Sequence, residues 1–251
     1  MIGSGKLTDW PYSGSMKQGF TLLELSIVLV IIGLIIGGVT VGTDMIRSAE
    51  LNSVVSDVNK FRTAINTFKL KYNAKPGDMK NASAYWPTCD ATPANCNGNG
   101  NGQIEAIDES LRAWQHLSDS GVISGSYTGV LSSGEWVLGT NLPESKITGA
   151  GFYPTYGPVY AGESKHIIVL GSPLTGGGIW GASMLNTPDV FSIDQKVDDG
   201  VADSGKVTTN NGYTAFATQD TGCVTGAAGA TVSSYILTNE DKNCLMAFEF
   251  D

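Results

Sequence analysis

The sequence is short of charge. Asp, Glu, Lys and Arg make up only 16% of its 251 residues, against about 25% in an average globular chain. Positive charge is scarcest: 15 Lys and Arg stand against 24 Asp and Glu, a net charge of −9. A protein that grips nucleic acid by charge has the opposite balance, so no nucleic-acid partner is expected. Histidine occurs only at His116 and His166, in separate segments, which gives no convincing triad or paired-imidazole metal centre. No Gly-x-Ser-x-Gly elbow is present, and nothing else in the sequence asks for an enzyme. Disorder is excluded by a hydrophobic content of 41%. The 32 glycines follow no three-residue period, which excludes a collagen-like chain.

What the chain does have is apolar content gathered near its start. Residues 25–43, between Glu24 and Asp44, carry no charge and are mostly Leu, Ile and Val. A hydrocarbon core of about 30 Å takes about 20 such residues as a helix. The run exceeds the h-region of an ordinary secretory signal, about 7–15 residues, and Asp44-Met45-Ile46-Arg47 is no small-residue cleavage site. The segment is therefore expected to remain in the mature chain. Glu24 stands at its N-terminal end. A charge costs about 2.5–3.5 kcal/mol at a bilayer centre and less toward an end. Such a residue marks a functional position.

Directly upstream reads Met16-Lys17-Gln18-Gly19-Phe20-Thr21-Leu22-Leu23-Glu24. A basic leader, Gly before Phe, Glu at the fifth position counted from that Phe and an uncharged stretch together resemble the processing site of type IV pilins and type II secretion pseudopilins. The resemblance implies a leader at 1–19 and cleavage between Gly19 and Phe20 by a membrane-embedded prepilin peptidase. It also implies N-methylation of the new Phe20 amine and pairing of Glu24 with that amine on a neighbouring subunit. The physics agrees, because a carboxylate in lipid is tolerated once a cation pairs with it. The leader is longer than is usual before a Phe; counted from Met16 it would have four residues. Val41 stands where many pilins carry Pro, which leans toward a pseudopilin or a minor subunit.

Beyond the apolar run, Val54, Val58, Phe61, Ile65, Phe68 and Tyr72 recur at spacings of 4, 3, 4, 3 and 4, one face of an amphipathic helix. Lys69, Lys71 and Lys75 suit the C-terminal end of its dipole, and Pro76-Gly77 is expected to end it. The predicted helix runs over 20–72. It divides into a transmembrane or polymerisation part (20–43) and a part packed on the head (44–75), ahead of a globular head at 76–251. Gly33-x-x-x-Gly37 would permit close helix approach. In the head, 109–119 reads as a helix with Leu111, Trp114 and Leu117 on one face and His116 on its rim. A second short helix is expected from Thr187 as N-cap, with Pro188 at its first position, toward Lys196. Strands are expected at 135–139, 165–171, 233–238 and 244–250. With no βαβ rhythm, the expected class is α+β, an antiparallel sheet laid on the long helix, as the pilin resemblance also implies. A looser resemblance to a pilin-like subgroup extends to Lys75-Pro76-Gly77-Asp78-Met79, Trp114-Gln115-His116-Leu117 and Val197-Asp198-Asp199-Gly200.

Four cysteines allow three pairings, in an exported head where disulfides persist. Locality favours Cys89–Cys96 and Cys223–Cys244, the second being like the disulfide loop of many pilins. Their spacings do not suit zinc. One stretch follows a calcium-loop template: Asn97, Asn99 and Asn101 at positions 1, 3 and 5, Gly102 at 6, Gln103 at 7, Ile104 at 8, Glu105 at 9 and Asp108 at 12. Asn in place of Asp implies low affinity, and no cofactor is required. Asp198, Asp199 and Asp203 around Gly200 read as a solvated acidic turn.

The resulting expectation is a structural filament subunit. Its partners are other pilins or pseudopilins, prepilin peptidase, an inner-membrane assembly platform and, before assembly, lipid. The expected location is a bacterial inner membrane with the head in the periplasm. The alternative is a monomeric, membrane-anchored periplasmic binding module using the Asn97–Asp108 loop.

Overall fold

The computed structural model describes residues 19–105, 107–158, 164–173, 181–215, 218–219, 221–226 and 234–251. Residues 1–18 of the expected leader, Ala106 of the asparagine loop and Ser233 of an expected strand lie outside them. The chain divides into two units, Met1–Arg47 and Ser48–Asp251.

Helix α1 spans Leu22–Tyr72. Every Leu, Ile, Val and Met from Leu22 to Ile46 is exposed. From Leu51 onward the helix is one-sided, with Leu51, Val54, Val58, Phe61, Ala64, Ile65 and Phe68 buried. That is the predicted stripe, with Tyr72 half-buried at its end. The helix ends ahead of Pro76, where Asn73 turns left-handed at φ 51°. Gly77, at φ 87°, lies so near the backbone of Glu109 that any Cβ would overlap it. Only glycine allows the chain leaving α1 to press against the next long helix.

The head continues through α2 (Ala82–Tyr85), a 3-10 turn (Pro93–Cys96) and α3 (Ile107–Asp119). There follow β1 (Gly151–Pro158), β2 (Ser164–Gly171), α4 (Thr187–Val197), β3 (Val207–Asn211), β4 (Tyr213–Ala215), β5 (Thr218–Gln219) and β6 (Cys244–Glu249). The main sheet has the order β1-β2-β6-β3, and each neighbouring pair is antiparallel. The C-terminal strand is thus inserted between two earlier ones, with Ala247 opposite both Val169 and Thr208. Strands β4 and β5 pair separately. A long N-terminal helix with a four-stranded antiparallel sheet is an α+β, pilin-like arrangement. In the core, the ring of Phe61 from α1 meets Trp114 of α3 edge-on at 4.7 Å and Phe152 of β1 at 5.2 Å. Burying side chains of this size contributes about 1.5–3 kcal/mol each.

Several expectations needed correction. The helix of 109–119 starts at Ile107, and the long helix starts at Leu22 rather than Phe20. The N-cap of α4 is Asn186, whose side chain accepts the Asp189 amide at 3.0 Å, so Thr187 already lies within the helix. The segment 135–139 makes only isolated bridges. Gly134 and Gly139 turn the chain at positive φ, and the Asn141 side chain takes the Val137 amide and the Val130 and Glu135 carbonyls that a ladder would use. Over 234–238 there is a single bridge, Val224 to Tyr235. Strand β1 was not expected, because two glycines and two prolines interrupt it. Pro154 is tolerated because β1 lies at the edge of the sheet. Strand β3, Val-Thr-Thr-Asn-Asn, was too polar to read as buried.

Candidate functional site

The end of α1 is built from four residues. Thr21 precedes the first helical residue and acts as its N-cap. Its amide and hydroxyl both donate to Glu24 Oε2, at 2.8 and 2.9 Å. Its Oγ1 accepts the Glu24 amide at 3.2 Å. This is a reciprocal capping box, in which two otherwise orphaned amides of the first turn find partners. The positive end of the helix dipole adds to the stabilisation of the Glu24 carboxylate. Phe20, 82% exposed, stands just outside this turn beside Gly19. Sequence reasoning singled out Glu24 but missed Thr21; the Thr-x-x-Glu spacing was the available signal.

The apolar face beyond is made fit for a non-aqueous surrounding. Ser26, Thr40 and Thr43 each turn their hydroxyl back on their own helix, donating to the carbonyls of Leu23 at 2.8 Å, Gly37 at 3.0 Å and Thr40 at 2.8 Å. No hydroxyl proton is left to seek water. Around Gly33, Gly37, Gly38 and Gly42 a Cβ would meet nothing within 4 Å. The helix surface there is flat and open, which suits close approach by another helix. By length and composition α1 is able to cross a membrane.

In the head, the asparagine loop is organised from outside itself. Asp78 accepts the amides of Asn101 at 3.0 Å and Gly102 at 2.8 Å. Glu109 accepts those of Asn99 and Glu105, both at 3.1 Å. Among the expected ligands, Asn97 Oδ1 accepts the Ser83 amide, Asn99 Oδ1 the Asn101 amide and Asn101 Oδ1 the Gln103 amide. Glu105 is exposed, while Gln103 and Ile107 are half-buried. Asp108 lies in the first turn of α3. Ile104 is fully buried, as a hydrophobic position 8 requires. Asp78 and Glu109 were missed because neither belongs to the twelve-residue template.

Both disulfides are present, Cys89–Cys96 and Cys223–Cys244. The first is gripped by α3. Arg112 pairs with Asp90 at 2.6 Å, the Gln115 amide group donates to the Cys89 carbonyl at 2.6 Å, and His116 Nε2 lies 2.9 Å from the Cys96 carbonyl. His116 Nδ1 accepts the Gly77 amide at 2.9 Å, so the ring is neutral and Nε2–H donates. It is fully buried rather than on a rim. Burial pushes its pKa down to about 4, a shift that Arg112 reinforces and the Cys96 carbonyl opposes. His166 is also held near 4, by burial and then by the charge of Lys75.

The acidic turn around Gly200 has a buried neighbour. Asp194 of α4 joins Asp198 and Asp199, and carboxylate oxygens of the three lie within 4.8 Å of one another.

Residues 14–40 match the family model of the prokaryotic N-terminal methylation motif. The match covers the capping box and most of the apolar run, and supports the type IV pilin and pseudopilin family. Proteins with this motif are structural rather than enzymatic. No curated protein and no solved structure matches the chain.

Proposed function

We propose that the chain is a structural subunit of a type IV pilus or a type II secretion filament. Prepilin peptidase cuts between Gly19 and Phe20, and the freed Phe20 amine is methylated. The apolar part of α1 first sits in the inner membrane as a single span, with the head in the periplasm. During assembly on an inner-membrane platform it leaves lipid for a filament core made of the same helices from neighbouring subunits. Glu24 then meets the Phe20 amine of a neighbour. The observation that carries this reading is the Glu24 carboxylate held at the N-terminal end of an otherwise uncharged, fully exposed helix surface. The capping box keeps the carboxylate partnered while no neighbour is present, and one of its oxygens remains available for a cation.

The intact mass of the mature protein tests the processing step. Loss of residues 1–19 with one added methyl is expected, and an intact N-terminus overturns the reading. Glu24→Val is expected to leave the protein processed and membrane-bound but absent from filaments. Normal incorporation of that variant would refute the role given to Glu24.

A further inference from the structure

We infer that Asn99 is a site of self-modification, at which the Gly100 amide nitrogen displaces ammonia from the side chain and water completes the change to aspartate or isoaspartate. An asparagine followed by glycine is open to this reaction, because no Cβ on the second residue hinders the approach of its nitrogen. The chain has four such steps: Asn97-Gly98, Asn99-Gly100, Asn101-Gly102 and Asn211-Gly212. The sequence alone does not rank them, and the fold does.

The nucleophile is the glycine amide nitrogen after it has lost its proton to hydroxide. In three of the four steps that N–H is engaged. Gly98 donates to the Met79 carbonyl and Gly212 to the Asn243 carbonyl, both at 2.9 Å. Gly102 donates to Asp78 Oδ2 at 2.8 Å, where a deprotonated nitrogen would face a carboxylate at contact distance. Among the described residues the Gly100 amide has no hydrogen-bond partner. The Lys80 side chain lies directly over Gly100, and a neighbouring ammonium favours an amide anion.

The electrophile is ready as well. Asn99 is exposed, whereas Asn97 is half-buried and Asn211 is buried. Asn99 Oδ1 accepts the Asn101 amide at 2.8 Å, a donor aimed at the oxygen on which negative charge develops. Attack forms a bond from Gly100 N to Asn99 Cγ and closes a succinimide ring. The Cγ–Nδ2 bond breaks, and the nitrogen takes up a proton from water and leaves as ammonia. Water then opens the ring at Cγ to give aspartate, or at the main-chain carbonyl to give isoaspartate. Aspartate adds a negative charge to the loop. Isoaspartate lengthens the backbone between two amides that are pinned, Asn99 to Glu109 and Asn101 to Asp78. No enzyme is needed and ammonia is lost, so the extent of conversion follows the age of the chain.

Peptide mapping by mass spectrometry, on the full chain held folded in detergent at mildly alkaline pH, tests the site. Each conversion replaces an amide NH2 by OH and is located by fragmentation. Asn99 is expected to convert at least tenfold faster than Asn97, Asn101 and Asn211. In the same chain unfolded in urea with its disulfides reduced, the three loop asparagines are expected to convert at similar rates. Asn99→Gln is expected to abolish the fast conversion. The site is overturned if the folded chain converts Asn97 or Asn101 as fast as Asn99. It is also overturned if Asn99 converts no faster than Asn73, an exposed asparagine that precedes Ala74, or if the fast conversion persists in Asn99→Gln. The filament reading does not depend on the result.

Discussion

From Leu22 to Ile46 the apolar side chains of α1 stand exposed, whereas Leu51, Val54, Val58, Phe61, Ile65 and Phe68 of the same helix are buried. The backbone is the same in both halves, and the residue types overlap. What differs is distribution: apolar on all sides in the first half, and along one stripe in the second. A stripe is satisfied by one partner, the head's own core. An all-round apolar surface needs apolar neighbours on every side, which one chain cannot supply. Stability should therefore reside in the second half and assembly in the first.

The sharpest test of that contrast is a matched pair of truncations in the full chain in detergent. Phe61→Ala is expected to lower the unfolding free energy of the head by about 3–5 kcal/mol, and Ile31→Ala to change it by less than about 0.5 kcal/mol. Equal effects in denaturant melts would break the contrast. Next come the disulfides. Replacing Cys223 and Cys244 by Ser should cost about 3 kcal/mol and replacing Cys89 and Cys96 somewhat less, since the first pair closes the longer loop, a sequence separation of 21 against 7. Identical losses would show that loop entropy is not what these bridges supply.

Acid is the third probe, and its effect is read in the head on which the second half packs. His116 and His166 are held near pKa 4 in the folded chain, from an ordinary 6.5. Their stabilising contribution is complete above pH 6.5 and is lost as pH falls toward 4. For His116 it is on the order of 3 kcal/mol. Asp194 runs the other way, since its raised pKa means stability is gained as pH falls from about 6 toward 3.8. Asp119, raised by burial, acts in the same direction as Asp194, while the lowered Asp90 and Asp251 side with the two histidines, so the head should weaken on acidification. The slope between pH 6.5 and 4 should flatten in His116→Gln, and an unchanged slope would remove His116 from the account. The smallest effect belongs to Thr21→Ala, about 1 kcal/mol at the helix end. Faster amide exchange in the first turn should reveal it, global unfolding should not, and Thr21→Ser should restore protection.

The first half of α1 was the most legible part of the sequence, because its signals are local: a motif before the helix and an unbroken apolar run. The stripe from Val54 to Tyr72 was legible for the same reason. Locality also gave the disulfide pairs. What escaped depends on partners distant in sequence. Strand β1 reads as a loop until β2 covers one side of it, and polar β3 is buried only because β6 lies beside it. Asp78 reaches the asparagine loop from more than a dozen residues upstream. Asp194 and Asp198 are four residues apart, the spacing that stacks side chains on a helix. That clue was present, but Asp194 fell in the expected helix and Asp198 in the turn after it, and the two were not joined.

The insertion of β6 between β2 and β3 has a consequence for biosynthesis. Ribosomes deliver residues 244–249 after every other strand of the sheet, yet β2 and β3 meet only through them. Cys223 likewise waits for Cys244. The four-stranded sheet therefore cannot close until residues 244–249 have been made, however early the apolar segment of α1 leaves the ribosome.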